Sequence, residues 1–351
     1  MELNKLEKQQ YNRHIILNEV GLEGQLKLKK AKVLVIGAGG LGCPVLQYLT
    51  AAGVGKIGIL DDDAIEISNL QRQVLYSYWD VGRNKAIAAA DRLQSHNPTV
   101  LFDVHNLRLT NENVLEIIDP YDIIIDCTDN FPTRYLINDA SVIKNKPVVF
   151  GSIFKFEGQV SVFNYQNGPT YRCLYPTPPN PNESPNCSDI GVLGVLPGII
   201  GSLQANEALK IILDLGDVLN GKLLKYDALS MQQMILSFKK DNSITINTLD
   251  SDYPGFCGFS DSVEEISIEE YYNNFQEYNL LDVRTTEERQ ISSIESIHIP
   301  IDELSQRIHE VPQDKELIIF CKSGIRSKKA IEILRKNGIK IKLSNLKNGL
   351  N

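Results

Sequence analysis

Three glycines after a short apolar run form the first stretch of the sequence that could do chemistry. Residues 33–36 are continuously apolar, as expected of a strand buried on both faces of a parallel sheet. Gly37, Gly39 and Gly42 then give the spacing Gly-x-Gly-x-x-Gly before a predicted helix, whose free N–H groups and dipole favour a phosphate. Asp61 ends the next apolar run, where a carboxylate can hold a ribose hydroxyl. The stretch predicts a nucleotide site without identifying the nucleotide.

Two cations and one carboxylate distinguish this site from that of a hydride-transferring enzyme. Arg72 ends the sequence Ser-Asn-Leu-Gln-Arg, and Lys85 begins a predicted helix. Arginine donates two parallel hydrogen bonds to phosphate, whereas lysine supplies a flexible point charge. Asp129 follows the predicted strand 121–127, at the sheet edge where α/β proteins bind ligands, and its carboxylate can hold Mg²⁺. Together the three residues indicate a triphosphate site.

Each of these three residues also has an ordinary structural explanation. A lone Arg72 or Lys85 is most often a solvated surface charge, and a lone Asp129 is most often a helix N-cap. The glycine spacing by itself permits a nicotinamide-dependent oxidoreductase, which is the alternative from a different class of enzyme. Phosphate chemistry is favoured by the set of residues and not by any single member.

The composition predicts a globular chain with about two domains. The 351 residues carry a net charge of −8 without a basic block, so a nucleic-acid partner is disfavoured. The first residues are polar and charged, and the longest apolar run, residues 191–201, contains Pro197 and is too short to span a bilayer. We therefore expect a cytoplasmic protein that does not bind membranes and whose six cysteines are thiols.

Apolar runs that alternate with helical patterns predict an α/β fold. A Rossmann-like doubly wound sheet is expected from strands near residues 31–36, 56–60, 101–105, 121–127 and 147–150, and an antiparallel extension from residues 158–165, 222–226, 233–238 and 244–248. Residues 250–265 are rich in Asp, Ser, Gly and Pro, which marks a linker. We expect a first domain at residues 1–249, this linker at 250–265 and a smaller α/β domain at 266–351.

A second reactive residue is predicted in the smaller domain. Cys321 follows the apolar run 317–320 and starts the sequence Cys-Lys-Ser-Gly-Ile-Arg-Ser, which leads into a predicted helix. A loop that closes over this cysteine aims backbone N–H groups at its sulfur. With Lys322, Arg326 and the helix N-terminus nearby, we expect the pKa of the thiol to be lowered and the thiol to be reactive.

The first domain resembles the MoeB/ThiF group of the ubiquitin-activating enzyme superfamily. The motifs that carry the resemblance are Tyr11-Asn-Arg-His-Ile15, the glycine-rich stretch 37–42, Ser68-Asn-Leu-Gln-Arg72, Asp126-Cys-Thr-Asp-Asn130, Glu157-Gly-Gln159, Tyr171-Arg-Cys173, Asn186-Cys187, Gly201-Ser-Leu-Gln-Ala205 and Tyr226-Asp-Ala228. The resemblance implies ATP-dependent adenylation of the C-terminal glycine of a small ubiquitin-like sulfur-carrier protein that ends in Gly-Gly. It also implies that the enzyme is a homodimer.

The same resemblance implies roles for individual residues. Asp61 would bind the ribose, Asp129 would hold Mg²⁺, and Arg13 would reach the ATP site of the partner subunit. The remaining nucleotide contacts that it implies are Gly37, Gly39, Gly40, Gly42, Ser68, Asn69, Leu70, Gln71, Arg72, Lys85 and Asn130. Cys187 matches a cysteine that in some relatives forms a thioester or a disulfide with the carrier, and an inert thiol is the alternative for it.

One departure from this group concerns zinc. Many relatives carry two Cys-x-x-Cys pairs that bind a structural zinc, but here Thr170 and Pro254 replace the first cysteine of each pair. Cys173 and Cys257 remain, and two thiolates do not complete the four-ligand shell of a structural zinc site. We therefore expect no zinc, with Asp252 as the one nearby residue that offers a further ligand.

The smaller domain resembles a rhodanese domain, in which the loop cysteine carries a persulfide. Besides the Cys321 loop, the sequences Leu281-Asp-Val-Arg284 and His298-Ile-Pro300 carry the resemblance. The segment 291–296 is shortened, and the sequence stops at Asn351, where relatives continue into a helix. The resemblance implies sulfur transfer from a cysteine desulfurase or thiosulfate through Cys321. A domain that only docks a sulfur donor is the alternative, and the pathway served (molybdenum cofactor, thiamine or tRNA thiolation) stays open.

Overall fold

The chain folds into two compact units, residues 1–260 and 261–351. The computed structural model describes residues 2–179, 191–257, 263–292, 294–347 and 349–350. Cys187 lies outside the described residues, together with the rest of residues 180–190. Among the helices that are described, none has the length and apolar character needed to cross a bilayer.

The first unit is built on one large mixed sheet. Its strands, over the described residues, are β1 (Lys32–Ile36), β2 (Lys56–Leu60), β3 (Leu101–His105), β4 (Ile123–Asp126), β5 (Val148–Phe154), β6 (Glu157–Phe163), β7 (Lys222–Asp227) and β8 (Gln233–Ser237). Their spatial order is β3-β2-β1-β4-β5-β6-β7-β8. The neighbours from β3 to β5 pair in parallel, and those from β5 to β8 pair antiparallel. This confirms the predicted doubly wound sheet with an antiparallel extension.

Helices cover both faces of this sheet. Over the described residues they are α1 (Lys5–Gln10), α2 (Asn12–Ile15), α3 (Gly21–Lys30), α4 (Gly42–Ala52), α5 (Lys85–His96), α6 (Val114–Ile118), α7 (Phe131–Ile143), α8 (Tyr171–Leu174), α9 (Val195–Leu213) and α10 (Tyr253–Phe256), with short 3-10 helices at Ile67–Asn69 and Tyr78–Asp80. Val33 and Val35 of β1 pack into the core that contains α4, α5 and α9, whereas Leu34 and Ile36 pack into the core that contains α6 and α7. The run is continuously apolar because both faces of β1 are buried.

The parallel strands bring the predicted nucleotide residues to one edge of the sheet. β1 pairs with β2 on one side and with β4 on the other. The residues that follow these strands, Gly37, Asp61 and Cys127, therefore lie at the same carboxyl edge. Their proximity follows from the topology, and side-chain contacts then fix the loops that they begin.

One predicted strand is wrong. Residues 244–248 are irregular, just after a turn at 242–243, and pair with no strand in the described part of the chain. The alternating Ile244 and Ile246 are half-buried, while the polar residues between and around them are exposed. Alternation therefore indicated correctly which side chains face the protein, but a strand also needs a neighbour for its backbone groups.

A buried ion pair ties helix α7 to the segments around α8 and α10. Arg172 donates from Nε and Nη2 to the two carboxylate oxygens of Asp139, each at 2.7 Å, and the Tyr253 hydroxyl donates to the same carboxylate at 2.8 Å. The Arg172 guanidinium also lies over the rings of Tyr135 and Phe256, 4.9 and 4.6 Å from their centroids. The start of the predicted linker is thus packed in the first unit, with Tyr253 buried.

The second unit contains a smaller, fully parallel sheet. Its described strands are β9 (Glu264–Ile266), β10 (Tyr278–Asp282), β11 (Ile297–His298), β12 (Glu316–Phe320) and β13 (Leu343–Leu346), in the order β11-β10-β12-β13-β9. Its described helices are α11 (Ile268–Asn273), α12 (Thr286–Ile291) and α13 (Ile325–Lys336), with 3-10 helices at Phe275–Glu277 and Ile308–Glu310. The other end of the predicted linker therefore contributes a strand, β9. The predicted Cys321 loop connects β12 to α13.

The Asp139–Arg172 pair yields a stability prediction. We expect Asp139→Asn to lower the free energy of unfolding by about 3 kcal/mol, because removing one partner leaves a buried charge uncompensated. Asp119→Asn is the matched control, since its pair with Lys144 lies at the surface and should contribute much less to stability. Urea unfolding followed by circular dichroism measures both. Equal losses of unfolding free energy in the two variants would show that the Asp139–Arg172 pair stabilises the fold no more than the surface pair does.

Candidate functional site

The three spaced positions of the first loop, 37, 39 and 42, are occupied by glycine for different physical reasons. Gly37 has a φ of +95°, and a Cβ on it would lie 2.8 Å from the carbonyl oxygen of Cys127. A Cβ on Gly42 would lie 2.0 Å from the carbonyl oxygen of Gly37, so these two positions exclude any side chain. A Cβ on Gly39 would meet only the Gln73 amide, at 3.6 Å. Protein packing does not require glycine at position 39, which leaves an approach for a ligand.

Two side chains fix the backbone of this loop at Ala38. The Ala38 N–H donates to Asp61 Oδ2 at 2.7 Å, and the Ala38 carbonyl accepts from the Tyr76 hydroxyl at 2.7 Å. Asp61 Oδ1 accepts from the N–H of Asp63 at 2.9 Å. Burial raises the pKa of Asp61, and the nearby Lys85 charge and these N–H groups oppose that shift. Asp61 therefore anchors the loop, a role that its sequence position did not reveal.

The two predicted phosphate-binding cations lie beside this loop. Arg72 is half-buried, donates from Nη1 to the Ser68 carbonyl at 3.0 Å, and has its Cγ 3.6 Å from where a Cβ of Gly40 would be. Lys85 is buried, with Nζ 2.7 Å from Asp63 Oδ2. The expectation that Lys85 is a flexible surface charge is wrong, because this ion pair and burial hold it in place.

The rest of the predicted motif between residues 68 and 71 is divided between surface and core. Asn69 is buried, and its Oδ1 accepts from the N–H of Glu66 at 3.2 Å. Leu70 is half-buried against the core, while Ser68 and Gln71 are exposed. The turn that carries Arg72 is therefore held by Asn69 from within.

A network of hydrogen bonds fixes the loop after β4. The buried Asp126 carboxylate accepts from both the N–H and the hydroxyl of Thr128, at 2.9 and 2.6 Å, and Arg134 donates from Nη2 to the Thr128 carbonyl at 2.9 Å. Asn130 caps helix α7 by accepting from the N–H of Thr133 at 3.0 Å. Asp129 is therefore not the helix cap. Its carboxylate is exposed and makes no hydrogen bond or ion pair with any described residue.

The described structure does not bring Arg13, a further predicted residue, into this site. Arg13 is exposed on helix α2 and has no hydrogen bond or ion pair within the described residues. Cys187 lies outside those residues. The one group of three or more acidic, histidine or cysteine side chains that the described structure holds close enough for a metal ion is Asp61, Asp62 and Asp63. Asp129 does not belong to it, as expected if a single carboxylate shares a magnesium ion with phosphate oxygens.

The sulfur of Cys321 is enclosed by its own loop. The residue is buried, the Gly324 N–H donates to Sγ at 3.1 Å, and Ser327 Oγ lies 3.4 Å from Sγ. Burial, the largest influence, raises the pKa of the thiol. Hydrogen bonds from the Ser327 hydroxyl and from the backbone N–H groups of Ser327, Ser323 and Gly324 outweigh it, so the pKa of Cys321 lies below its ordinary value.

The sequence-based prediction of which groups lower the pKa of Cys321 was only partly right. Lys322 is exposed, and the Arg326 guanidinium is paired in a bidentate manner with Glu288, both contacts at 2.7 Å. This pair lowers the pKa of Glu288 to about 2. Arg326 was correctly predicted as a neighbour that interacts with the sulfur, although Glu288 pairs with it. The hydrogen bonds from Ser327, Ser323 and Gly324 lower the pKa of Cys321 more than either cation does. Glu288 lies 38 positions before Arg326, and no local motif marks it.

The shortened segment before His298 is held by buried polar contacts. Arg284 and Asp282 form a buried ion pair, with Arg284 Nη2 2.8 Å from Asp282 Oδ2. The same Nη2 donates to the Ser292 carbonyl at 2.8 Å, and His298 Nε2 lies 2.9 Å from the Arg284 carbonyl. The ion pair thus fastens the shortened segment to the end of β10.

The fold and the two sites define an α/β protein that joins a glycine-loop nucleotide-binding unit to a unit built around a hydrogen-bonded cysteine. The chain belongs to the ThiF family, whose family model matches residues 11–245, and residues 267–351 match the rhodanese-like domain. Both resemblances predicted from the sequence are confirmed.

Relatives match this chain over most of their length. The sulfur carrier protein adenylyltransferase of Thermus thermophilus is 50% identical over 269 residues, covering 74% of this chain and 99% of that protein. The probable adenylyltransferase/sulfurtransferase MoeZ of Mycobacterium tuberculosis is 41% identical over 354 residues, covering 96% and 90%. The crystal structure of E. coli MccB has a TM-score of 0.62 at 21% identity, covering 69% of this chain and 73% of that one, which shows a shared fold.

Substitution of Gly39 and Gly42 separates ligand binding from packing. Gly42→Ala should lower the thermal unfolding midpoint, because its Cβ would overlap the Gly37 carbonyl. Gly39→Ala should leave the midpoint unchanged and weaken ATP binding about tenfold or more, since a methyl group would keep phosphate from the backbone. Thermal scans and calorimetric titration with ATP measure the two effects. A folded Gly39→Ala variant with full ATP affinity would show that the nucleotide does not approach this loop.

Proposed function

We propose that this chain adenylates the C-terminal glycine of a ubiquitin-like sulfur-carrier protein with ATP, and that its second unit then supplies sulfur to form a thiocarboxylate. The observation that carries the proposal is the match to MoeZ, which extends through both units of this chain. MoeZ is named as a probable adenylyltransferase/sulfurtransferase, so its name includes both activities. The buried Lys85, the half-buried Arg72 and the open face of Gly39 support it, because they surround one loop with phosphate-binding groups.

Adenylation solves the problem that a carboxylate is a poor electrophile. A carboxylate oxygen of the carrier attacks the α-phosphorus of ATP, the bond to the β-phosphate bridging oxygen breaks, and pyrophosphate leaves. Such a reaction needs alignment and charge neutralisation more than proton transfer. Arg72 and Lys85 neutralise phosphate charge, Asn69 holds the Arg72 turn, and Asp61 with Tyr76 keeps the glycine loop in shape.

Asp129 fits a magnesium ion by the chemistry of its donor. It offers a free carboxylate at the carboxyl edge of the sheet, beside a loop that Asp126 and Arg134 hold rigid. We propose that Asp129 holds the ion, which when bound neutralises phosphate oxygens.

The sulfur step uses Cys321 as a persulfide. With thiosulfate as donor, the Cys321 thiolate attacks the outer sulfur and sulfite leaves. The terminal persulfide sulfur attacks the acyl carbon, the bond to AMP breaks, and an acyl disulfide forms. A second thiol, for which Cys187 is the candidate, attacks Cys321 Sγ and releases the thiocarboxylate with the electron pair of the S–S bond. The resulting disulfide is reduced by a cellular thiol.

A second candidate assigns the smaller unit only a docking role for a sulfur donor. One observation favours it: Cys321 has no solvent-exposed surface. The hydrogen bonds that lower the pKa of this thiol favour catalysis instead. The oxidoreductase alternative from the glycine spacing is disfavoured, because Arg72 and Lys85 serve phosphate and not hydride transfer.

The two activities should separate in one variant. With a Gly-Gly-ended carrier, we expect ATP–pyrophosphate exchange that depends on the carrier and is unchanged in Cys321→Ala, because that residue lies outside the ThiF unit. Thiocarboxylate formation from thiosulfate, followed by mass spectrometry of the carrier, should be lost in the same variant. Cys257→Ala is the control for removing a buried thiol, because this residue lies outside the glycine loop and outside the Cys321 loop. Full thiocarboxylate yield from Cys321→Ala would favour the docking role, and absence of exchange in the unaltered chain would refute adenylation.

We also propose that the chain holds no zinc. Cys173 and Cys257 supply two thiols where a structural zinc takes four ligands, and Cys257 is buried. Cys173 Sγ is instead 3.4 Å from both the N–H and the hydroxyl of Thr170. The Asp139–Arg172–Tyr253 contacts join the same two segments without a metal. Elemental analysis of purified protein should find far less than one zinc per chain; a stoichiometric content that survives chelator dialysis would overturn this proposal.

The exposed Arg13 supports a homodimer in which this arginine completes the partner's ATP site. Sedimentation equilibrium that gives the monomer mass at micromolar concentration would contradict the dimer. The identity of the sulfur carrier and the pathway it serves stay open, and capture of a Gly-Gly-ended protein on the intact chain would narrow them most directly. The sulfur donor and the cytoplasmic location stay predictions.

A further inference from the structure

The Ser327 hydroxyl, beside the reactive sulfur, has more acceptors than hydrogens. Its Oγ lies 3.4 Å from Cys321 Sγ, 3.0 Å from the Gly324 carbonyl oxygen and 2.5 Å from Asn345 Oδ1. A hydroxyl has one hydrogen, so Ser327 donates to one of these three acceptors at a time. Cys321, Ser327 and Asn345 are all buried, so water does not supply the missing hydrogen bonds. The three acceptors therefore compete for one proton.

The orientation of the Asn345 amide decides this competition. Asn345 lies on β13, and its side chain also hydrogen-bonds Glu265 of β9. An ionised carboxylate only accepts hydrogen bonds, so Asn345 presents Nδ2 to Glu265 and turns Oδ1 towards Ser327. Glu265 is held in turn by Lys328, 2.7 Å away. A chain of side chains thus runs from the surface carboxylate to the buried sulfur.

We propose that Asn345 is a positioning residue for Cys321: by accepting the Ser327 proton, it limits how far that hydroxyl stabilises the thiolate. The inference rests on the proposed function, in which the Cys321 thiolate accepts sulfur. A fully stabilised thiolate is a weaker nucleophile, since nucleophilicity falls with pKa. Asn345 would therefore balance the population of the thiolate against its reactivity.

Other charged groups around the loop act separately from this competition. Arg326 of α13 lies close enough to Cys321 for an electrostatic interaction and is paired with Glu288 of α12. The buried Asp282–Arg284 pair stands at the end of β10, next to β12. Within the described residues no hydrogen bond joins Asn345 to these four side chains, so replacing Asn345 redirects the Ser327 proton and leaves the ion pairs in place.

The test measures the pH dependence of Cys321 alkylation by iodoacetamide in the full chain, read from the Cys321 peptide by mass spectrometry. Asn345→Leu removes the nearest of the two acceptors that compete with the sulfur, at similar volume. It should lower the apparent pKa by about one unit, because Ser327 then donates to the sulfur more often, with the Gly324 carbonyl as the one remaining competitor. Ser327→Ala removes the donor and should raise the apparent pKa by a similar amount. The double variant Asn345→Leu/Ser327→Ala should have the same apparent pKa as Ser327→Ala, because Asn345 acts on the sulfur through Ser327 alone.

Controls separate this effect from loss of structure. Ser344→Ala alters the neighbouring buried residue of β13, whose hydroxyl contacts Glu316, and should leave the apparent pKa unchanged. Asn345→Ala provides a second test of the same direction if Asn345→Leu does not fold. The proposal is wrong if every folded Asn345 variant leaves the apparent pKa of Cys321 unchanged or raises it. It is also wrong if Asn345→Leu still lowers this pKa in a chain that lacks the Ser327 hydroxyl, or if iodoacetamide never alkylates Cys321. If the unaltered chain forms no thiocarboxylate while the variants show these shifts, the proposed function is refuted and this inference stands.

Discussion

The nucleotide site depends on how the backbone at Ala38 is held. The Ala38 N–H donates a hydrogen bond to the buried carboxylate of Asp61, at the end of β2, and the Ala38 carbonyl accepts one from the Tyr76 hydroxyl. The same hydroxyl lies 3.2 Å from the carbonyl of Lys85, the first residue of α5. One residue of the loop is thereby linked to β2, to the segment that follows Arg72 and to the helix that carries the second cation. A buried carboxylate is tolerated here because N–H groups satisfy it.

The same physical device recurs around the reactive thiol. In both units a strand ends, a short loop turns the backbone, and a helix begins. In the first unit such a turn suits phosphate, and in the second the backbone N–H groups already converge on a sulfur that they stabilise as an anion. The two proposed half-reactions therefore use one principle, stabilisation of an anion by fixed dipoles, with different occupants.

The sequence predicted the parts of this protein that depend on local pattern. The buried strand β1, the glycine loop and the Cys321 loop could be predicted because strand burial, glycine spacing and the following helix are all encoded within a few residues. It could not predict which of Asp129 and Asn130 caps α7, since both residue types are good caps. Contacts between distant residues were missed altogether: Asp139 meets Arg172 and Tyr253 from 33 and 114 positions away. The false strand at 244–248 has the same origin, because alternation identifies a face and not a pairing partner.

The central claim is that the glycine loop of the first unit binds a triphosphate between fixed positive charges. A crystal structure of the intact chain grown with ATP and Mg²⁺ tests this claim most directly. The account predicts an ordered triphosphate along residues 37–42, with Arg72 and Lys85 on its phosphates and the ion on Asp129. An empty loop at saturating ATP, or a loop that takes NAD with an ordered nicotinamide ring in preference to ATP, would contradict it.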